Sequence, residues 1–121
     1  MPDERKNVAF DIYRLRESDD IVKLTLTIGF GQEGSTTVKL NNKIVGTFDE
    51  SFSLDLGSNN KLHTKELRIT CLVQDVQPDR DIVSAHAVLT GGAQLKDWTL
   101  LEEPTKDNET YPLRFTIGLF K

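Results

Sequence analysis

The sequence predicts one all-β domain, an antiparallel β-sandwich of about eight or nine strands with a C2-like or immunoglobulin-like general architecture. Short runs of alternating apolar and polar residues recur along the chain, and turn-forming clusters separate them at intervals of about eight to twelve residues. No segment shows a convincing helical period. At 121 residues the chain fits a single domain, 1–121, in which we expect residues 1–7 to be disordered.

Two segments show the clearest strand pattern. In the segment 21–30 one face carries the apolar residues Val22, Leu24, Leu26, Ile28 and Phe30. In the C-terminal segment 113–120 the apolar face carries Leu113, Phe115, Ile117 and Leu119. No proline or charge run protects the edge of this last strand, so we expect it either to be central in a sheet or to pair with another subunit.

The remaining segments follow in order. Residues 8–12 alternate as a strand, although Val8, Ile12 and Leu15 would also share one helical face. Asn41-Asn42 tolerates positive φ and predicts a tight hairpin between 36–40 and 43–48. Residues 51–56 read as a strand and 57–61 as a loop. Residues 93–101 read either as a strand with a bulge or as a short turn followed by a strand, and 102–112 as a long surface loop.

The stretch 66–92 predicts a central hairpin. Its two runs, 66–76 and 81–90, each place their apolar residues at odd positions. Direct pairing would set Val73 opposite Val83, Cys71 opposite Ala85 and Leu67 opposite Leu89. The same register would bring Asp75 opposite Asp81, a repulsive pair that either binds a cation or slips to set Val76 opposite Ile82.

The hairpin tip is the candidate metal site. Asp75, Asp79 and Asp81 could supply three oxygen ligands to Ca²⁺, with Asp55 or the Asp19-Asp20 turn as sources of the remainder. The spacing loosely resembles the acidic loops of C2-type calcium sandwiches, but a second Asp-x-Asp run is absent. The alternative is that Pro78, Asp79 and Asp81 are ordinary turn formers whose charge Arg80 partly offsets.

Catalytic residues are not predicted. Cys71 and His86 are the one conceivable nucleophile and base, and the apolar run around Cys71 favours a small buried hydrophobe instead. Cys71, His86 and His63 are the nitrogen and sulfur ligands that the chain offers for zinc, and they are too few for a convincing site. The string G-x-G-x-x-G at 29–34 follows a strand with no helix after it and reads as a turn.

Charge and hydropathy limit the partners and the compartment. Fifteen basic and 19 acidic residues give a net charge of −4 without a long basic run, which argues against nucleic acid. No segment approaches the apolar length of a transmembrane helix, and the first twenty residues lack the apolar core of a signal peptide. The single cysteine suits a reducing compartment, so we expect a cytoplasmic protein, with specialised secretion as the alternative.

Three large aromatic residues lie outside the clean core pattern: Trp98, Tyr111 and Phe120. They are the candidate interface residues, although each could equally cap the core. We therefore expect a non-enzymatic protein–protein interaction or assembly module that presents loops and a sheet edge, without a cofactor. The alternative is a calcium-dependent module for a membrane surface or a glycan, using Asp75, Asp79 and Asp81.

Overall fold

The computed structural model describes residues 8–29, 33–74, 83–102 and 110–121, and within them it contains nine strands and one short helix. The elements in chain order are β1 (Val8–Arg14), β2 (Ile21–Ile28), β3 (Glu33–Leu40), β4 (Lys43–Phe48), β5 (Phe52–Ser58), α1 (Asn59–Leu62), β6 (Glu66–Gln74), β7 (Val83–Thr90), β8 (Lys96–Glu102) and β9 (Thr110–Phe120). None of the described residues belongs to a helix long and apolar enough to span a bilayer.

The strands form two packed sheets, which confirms the predicted β-sandwich. The five-stranded sheet has the order β1-β9-β6-β3-β4, and the four-stranded sheet has the order β5-β2-β7-β8. All neighbouring pairs are antiparallel except β1 and β9, which are parallel. The last strand is therefore internal, as the first of the two alternatives predicted.

The core lies between the two sheets and is built from the alternating apolar faces. Completely buried residues come from both layers, including Leu24 and Leu26 of β2, Ile69 of β6, and Phe115 and Ile117 of β9. Side chains of alternate residues therefore point into the core, while those between them form the two outer faces.

The predicted hairpin between 66–76 and 81–90 is wrong. β6 pairs with β3 and β9 in one sheet, whereas β7 pairs with β2 and β8 in the other. Val73 therefore lies opposite Gly34 and Tyr111 rather than opposite Val83. Alternation correctly identified the core face of each strand, but two strands that share a core can face each other across it instead of pairing.

The hairpin at Asn41-Asn42 is confirmed, with φ values of 49° and 67° and with Leu40 opposite Lys43. The predicted loop 57–61 is wrong in part, because β5 continues to Ser58 and one helical turn follows. The Ser58 hydroxyl caps this turn by accepting a hydrogen bond from the Lys61 amide at 3.3 Å. Asn59 is buried and donates to the carbonyl oxygens of Asp20 and Gly91, both at 2.9 Å.

Candidate functional site

An exposed apolar region lies on the outer face of the five-stranded sheet, along β1. Val8, Phe10 and Ile12 expose 38%, 76% and 57% of their surface because the even residues of this strand point to solvent. Phe120 is also exposed, and its ring lies over Gly118, the residue paired with Ile12. We call Val8, Phe10, Ile12 and Phe120 the β1 strip. Together they expose on the order of 400 Å², the scale of the largest apolar patch on a typical monomer.

Three basic side chains lie beside the β1 strip on the same outer face. Lys39 of β3 is directly opposite Arg68 of β6, and Arg114 of β9 is opposite Thr70 of β6. A depression of about 190 Å³ lies between these three basic side chains, Lys39, Arg68 and Arg114, which we call the cationic cluster. It is also lined by Thr70, Phe115 and Thr116. The depression is therefore bordered by three positive charges and two hydroxyl-bearing residues.

These positive charges are only partly offset within the chain. Arg68 Nε lies 2.7 Å from Glu66 Oε1, and both side chains are about half exposed, so solvent weakens this pair. Neither Lys39 nor Arg114 forms an ion pair with any residue of the described ranges. Among the described residues the outer face thus carries positive charge at Lys39 and Arg114 that no ion pair compensates, on a chain whose net charge is negative.

The outer face of the four-stranded sheet has a different charge arrangement. There Lys23 is opposite Asp55, and His86 Nε2 lies 2.8 Å from Asp97 Oδ2. Opposite charges therefore face each other at Lys23 and Asp55 on this sheet, whereas like charges face each other at Lys39 and Arg68 on the other. A like-charged cross-strand pair is destabilising, so a bound anion would relieve the repulsion between Lys39 and Arg68.

A second, larger cleft of about 680 Å³ lies at the end of the sandwich where β2 and β6 finish. Its lining includes Ile28, Gly34, Ser35, Asp49, Glu50, Ser51, Leu72, Gln74 and Thr110. The carboxylates of Asp49 and Glu50 are exposed, and the Ser51 hydroxyl accepts a hydrogen bond from the Ile28 amide at 3.0 Å. This end of the sandwich combines acidic and hydroxyl groups with apolar walls.

The predicted calcium ligands Asp75, Asp79 and Asp81 lie outside the described residues. Asp75 directly follows Gln74, which lines the cleft. Among the residues that the structure does describe, no three His, Cys, Asp or Glu side chains are grouped to hold a metal ion. The calcium site stays a prediction.

The turn at Asp19-Asp20, a predicted source of further ligands, lies within the described residues. It precedes β2, whereas the cleft contains Ile28 at the other end of the same strand, about 25 Å away along eight residues. Asp19 and Asp20 also have partners of their own, Asn60 at 3.0 Å and Arg16 at 2.6 Å. Because Asp75, Asp79 and Asp81 lie outside the described residues, the contribution of this turn to the calcium site stays a prediction.

The structure separates Cys71 from both histidines. Cys71 is fully buried in β6, and desolvation by this burial raises the pKa of its thiol to about 11 despite a hydrogen bond from the Thr36 hydroxyl at 3.4 Å. His86 is on β7 in the other sheet and faces outward. His63 accepts a hydrogen bond from the Lys121 amide at 3.0 Å. Cys71 is a core residue, as its apolar neighbours predicted.

Trp98, Tyr111 and Phe120 do not form one group. Trp98 and Tyr111 are half-buried and pack against the core, whereas Phe120 is exposed. Tyr111 and Phe120 lie near opposite ends of β9, about 30 Å apart, and point to opposite faces of the sheet. Of the three candidate interface residues, only Phe120 belongs to the β1 strip.

Sequence reasoning missed most of the outer face. The alternation of Val8, Phe10 and Ile12 predicted strand β1, but it is Tyr13 and its odd-numbered neighbours that face inward. Tyr13 and Leu15 could have indicated this orientation, because these large apolar side chains occupy odd positions and are buried. The cationic cluster gave no signal along the chain, because its members come from three strands far apart in sequence.

In comparisons with known proteins, no family model, no curated protein and no solved structure matches this chain. Its function is therefore inferred from its own surfaces.

Proposed function

We propose that the chain is a non-enzymatic protein–protein interaction or assembly module that binds its partner through the outer face of the five-stranded sheet. The observation that carries this proposal is the β1 strip, an exposed apolar surface directly beside uncompensated positive charge. Protein interfaces combine such an apolar centre with a polar and charged surround, and aromatic and arginine side chains supply much of their binding energy.

The face of the sheet is a better docking surface than the edge of β1. The Arg14 carbonyl oxygen accepts a hydrogen bond from the Ala93 amide at 2.9 Å, and the Ile12 carbonyl oxygen accepts one from Lys96 Nζ at 3.4 Å. The Ile12 amide donates to Asp11 Oδ1 at 2.7 Å. The second half of this edge already has hydrogen-bond partners, so adding a strand there would require breaking them.

The arrangement of nucleophilic and basic groups also supports a non-enzymatic function. Cys71 is buried in one sheet and His86 is exposed on the other, so they are not within hydrogen-bond reach. The unpaired thiol of Cys71 is compatible with a reducing compartment, and we propose the cytoplasm as the site of action.

The proposal is tested by affinity capture from native lysate with three immobilised proteins: the wild type, Phe10→Ser and the control Ile21→Ser. Ile21 is 50% exposed on the other sheet, so its replacement removes apolar surface without touching the β1 strip. We expect the wild type and Ile21→Ser to retain a protein that Phe10→Ser retains at least about tenfold less. Equal retention by all three proteins would overturn the proposal.

Light scattering of the purified wild type separates a foreign partner from self-association. If the wild type has a native mass above that of one chain and Phe10→Ser has the mass of one chain, the occupant of the β1 strip is a second copy of the protein. A single-chain mass together with selective capture identifies a different protein. A monomer that captures nothing selectively contradicts the proposal.

The calcium-dependent module remains the second candidate. One observation favours it: Asp49 and Glu50 line the cleft that includes Gln74, the residue before Asp75. Carboxylates from neighbouring loops are the ligands that Ca²⁺ prefers.

A further inference from the structure

We propose that the cationic cluster binds the carboxylates of an acidic polypeptide segment, and that this segment places apolar side chains on either side of them. The inference rests on the proposed function and names the chemistry of the partner. Its basis is the electrostatics and geometry of the outer face around Lys39, Arg68 and Arg114.

The charges of the outer face are complementary to an acidic partner. Lys39 and Arg68 oppose each other across β3 and β6, and one carboxylate, Glu66, offsets only Arg68. The opposite face instead matches Lys23 with Asp55. A chain with a net charge of −4 thus concentrates unmatched positive charge on one face, where an anion would stabilise the pair that repels.

The surface between the basic side chains has the size and the donors for carboxylate groups. The depression of about 190 Å³ has room for one or two carboxylate groups rather than for a large ligand. Arg68 and Arg114 can bind carboxylates in the bidentate fork geometry, and the hydroxyls of Thr70 and Thr116 are additional donors beside them. Both threonines are half-buried within the sheet, so the polar lining is held by strands rather than by loops.

The order of side chains across the sheet places apolar residues on both sides of the basic ones. One cross-strand row runs Phe10, Thr116, Arg68, Lys39, Ile44. The row covers four strand spacings, about 19 Å, which an extended peptide of about six residues spans. Its ends are apolar and exposed, 76% at Phe10 and 58% at Ile44, and its centre is cationic. A complementary segment therefore has apolar residues at both ends and acidic residues between them.

A nucleic acid fits this face less well. A phosphate backbone would meet three basic side chains beside an acidic residue, Glu66, with apolar surface at both ends of the row. Nucleic-acid-binding surfaces carry longer basic stripes on basic domains, whereas this chain has a pI of about 5.1.

The test is selection from a randomised peptide library displayed on phage, followed by fluorescence anisotropy with the selected peptides. The targets are the wild type, Lys39→Gln/Arg114→Gln, and the control Lys23→Gln/Lys61→Gln. Both double variants remove two positive charges from exposed or half-exposed positions, so they share one net charge. Arg68 is left in place because it pairs with Glu66.

We expect the wild type and the control to enrich peptides with acidic residues flanked by apolar ones. We expect Lys39→Gln/Arg114→Gln to bind those peptides about tenfold or more weakly, and Phe10→Ser to weaken them as well. Raising the salt concentration from about 0.05 M to about 0.5 M should weaken wild-type binding, because the contacting charges are partly exposed.

Three results would overturn the inference: no enrichment, enrichment of peptides without acidic residues, or equal binding by both double variants. Tighter binding of a single-stranded oligonucleotide than of the selected peptides would also overturn it. None of these outcomes decides the proposed function, which depends on the separate comparison of Phe10→Ser with Ile21→Ser in lysate. Selective capture of a partner without acidic segments would retain the proposed function and reject the acidic peptide.

Discussion

Trp98 donates its indole Nε1–H to Asp11 Oδ2 at 2.7 Å, and this bond joins β8 of the four-stranded sheet to β1 of the five-stranded sheet. Lys96 Nζ lies 3.0 Å from the same carboxylate oxygen. The carboxylate of Asp11 therefore joins the side of the sandwich that carries the β1 strip to two side chains of the opposite sheet.

Asp11 gives the fold a predictable acid sensitivity. The hydrogen bond from Trp98, then those from Lys96 and the Ile12 amide, lower the pKa of Asp11 from 3.8 to about 2. Because the folded-state pKa lies below the unfolded value, the stabilisation is present above pH 4 and is lost as the pH falls from about 4 to about 2. The side chain is 35% exposed, and solvent screening limits the contribution to about 1 kcal/mol.

Urea unfolding of the wild type and Asp11→Asn as a function of pH measures this contribution. We expect Asp11→Asn to be about 1 kcal/mol less stable at pH 7, and the two curves to converge as the pH approaches about 2. Asp55→Asn is the control, since Asp55 is an exposed carboxylate on the other sheet. A stability difference that stays constant over this pH range would contradict the assigned role of Asp11.

The hydroxyl of Tyr13 is a second link between the sheets. Tyr13 is fully buried; its hydroxyl donates to the Gln94 carbonyl oxygen at 2.6 Å and accepts from the Gly92 amide at 3.0 Å. We expect Tyr13→Phe to destabilise the fold by about 1–3 kcal/mol, since two backbone groups lose their partner. Thr25→Val, which removes an exposed hydroxyl bonded to Ser53, is expected to have an effect below about 0.5 kcal/mol in the same unfolding assay. Equal effects would show that the tyrosine bonds add no stability.

The burial of Cys71 predicts an unreactive thiol. With its pKa raised to about 11, only about one part in a thousand is thiolate at pH 8, and no surface of the residue is exposed. Ellman's reagent should therefore label Cys71 in denaturant but not in the folded protein. A cysteine introduced by Ser53→Cys, at an exposed position, is the positive control. Rapid stoichiometric labelling of folded wild type would place the thiol at the surface and contradict its core position.

The calcium-dependent module predicts that the aspartates that follow β6 in the sequence bind the ion. If Asp75, Asp79 and Asp81 bind Ca²⁺, calorimetric titration gives a saturable heat and the ion raises the melting temperature. Replacing all three aspartates by asparagine removes both effects, whereas Asp97→Asn, at an exposed carboxylate outside the predicted ligand set, retains them. A wild-type titration without heat or thermal shift removes this function.

Periodicity in the sequence predicted the strands well because the alternation has a direct physical cause, the burial of one face. It correctly placed Val22, Leu24 and Leu26 inside, and Asn41-Asn42 in a turn. It could not assign β6 and β7 to different sheets, because an apolar face shows what is buried and not which strand is adjacent. The pairs Lys39–Arg68 and Thr70–Arg114 depend on that adjacency, so the cationic cluster could be found only in the folded chain.

Photo-cross-linking tests the proposed interaction surface most directly. p-Benzoylphenylalanine is introduced at Phe10 in one variant and at Asp55, an exposed position of the opposite sheet, in the other. Irradiation in the native cell should give a covalent adduct with one defined protein, or with a second copy, from position 10 and not from position 55. Adducts from position 55 alone, or the same adducts from both positions, would contradict the assignment of the outer face of the five-stranded sheet as the binding surface.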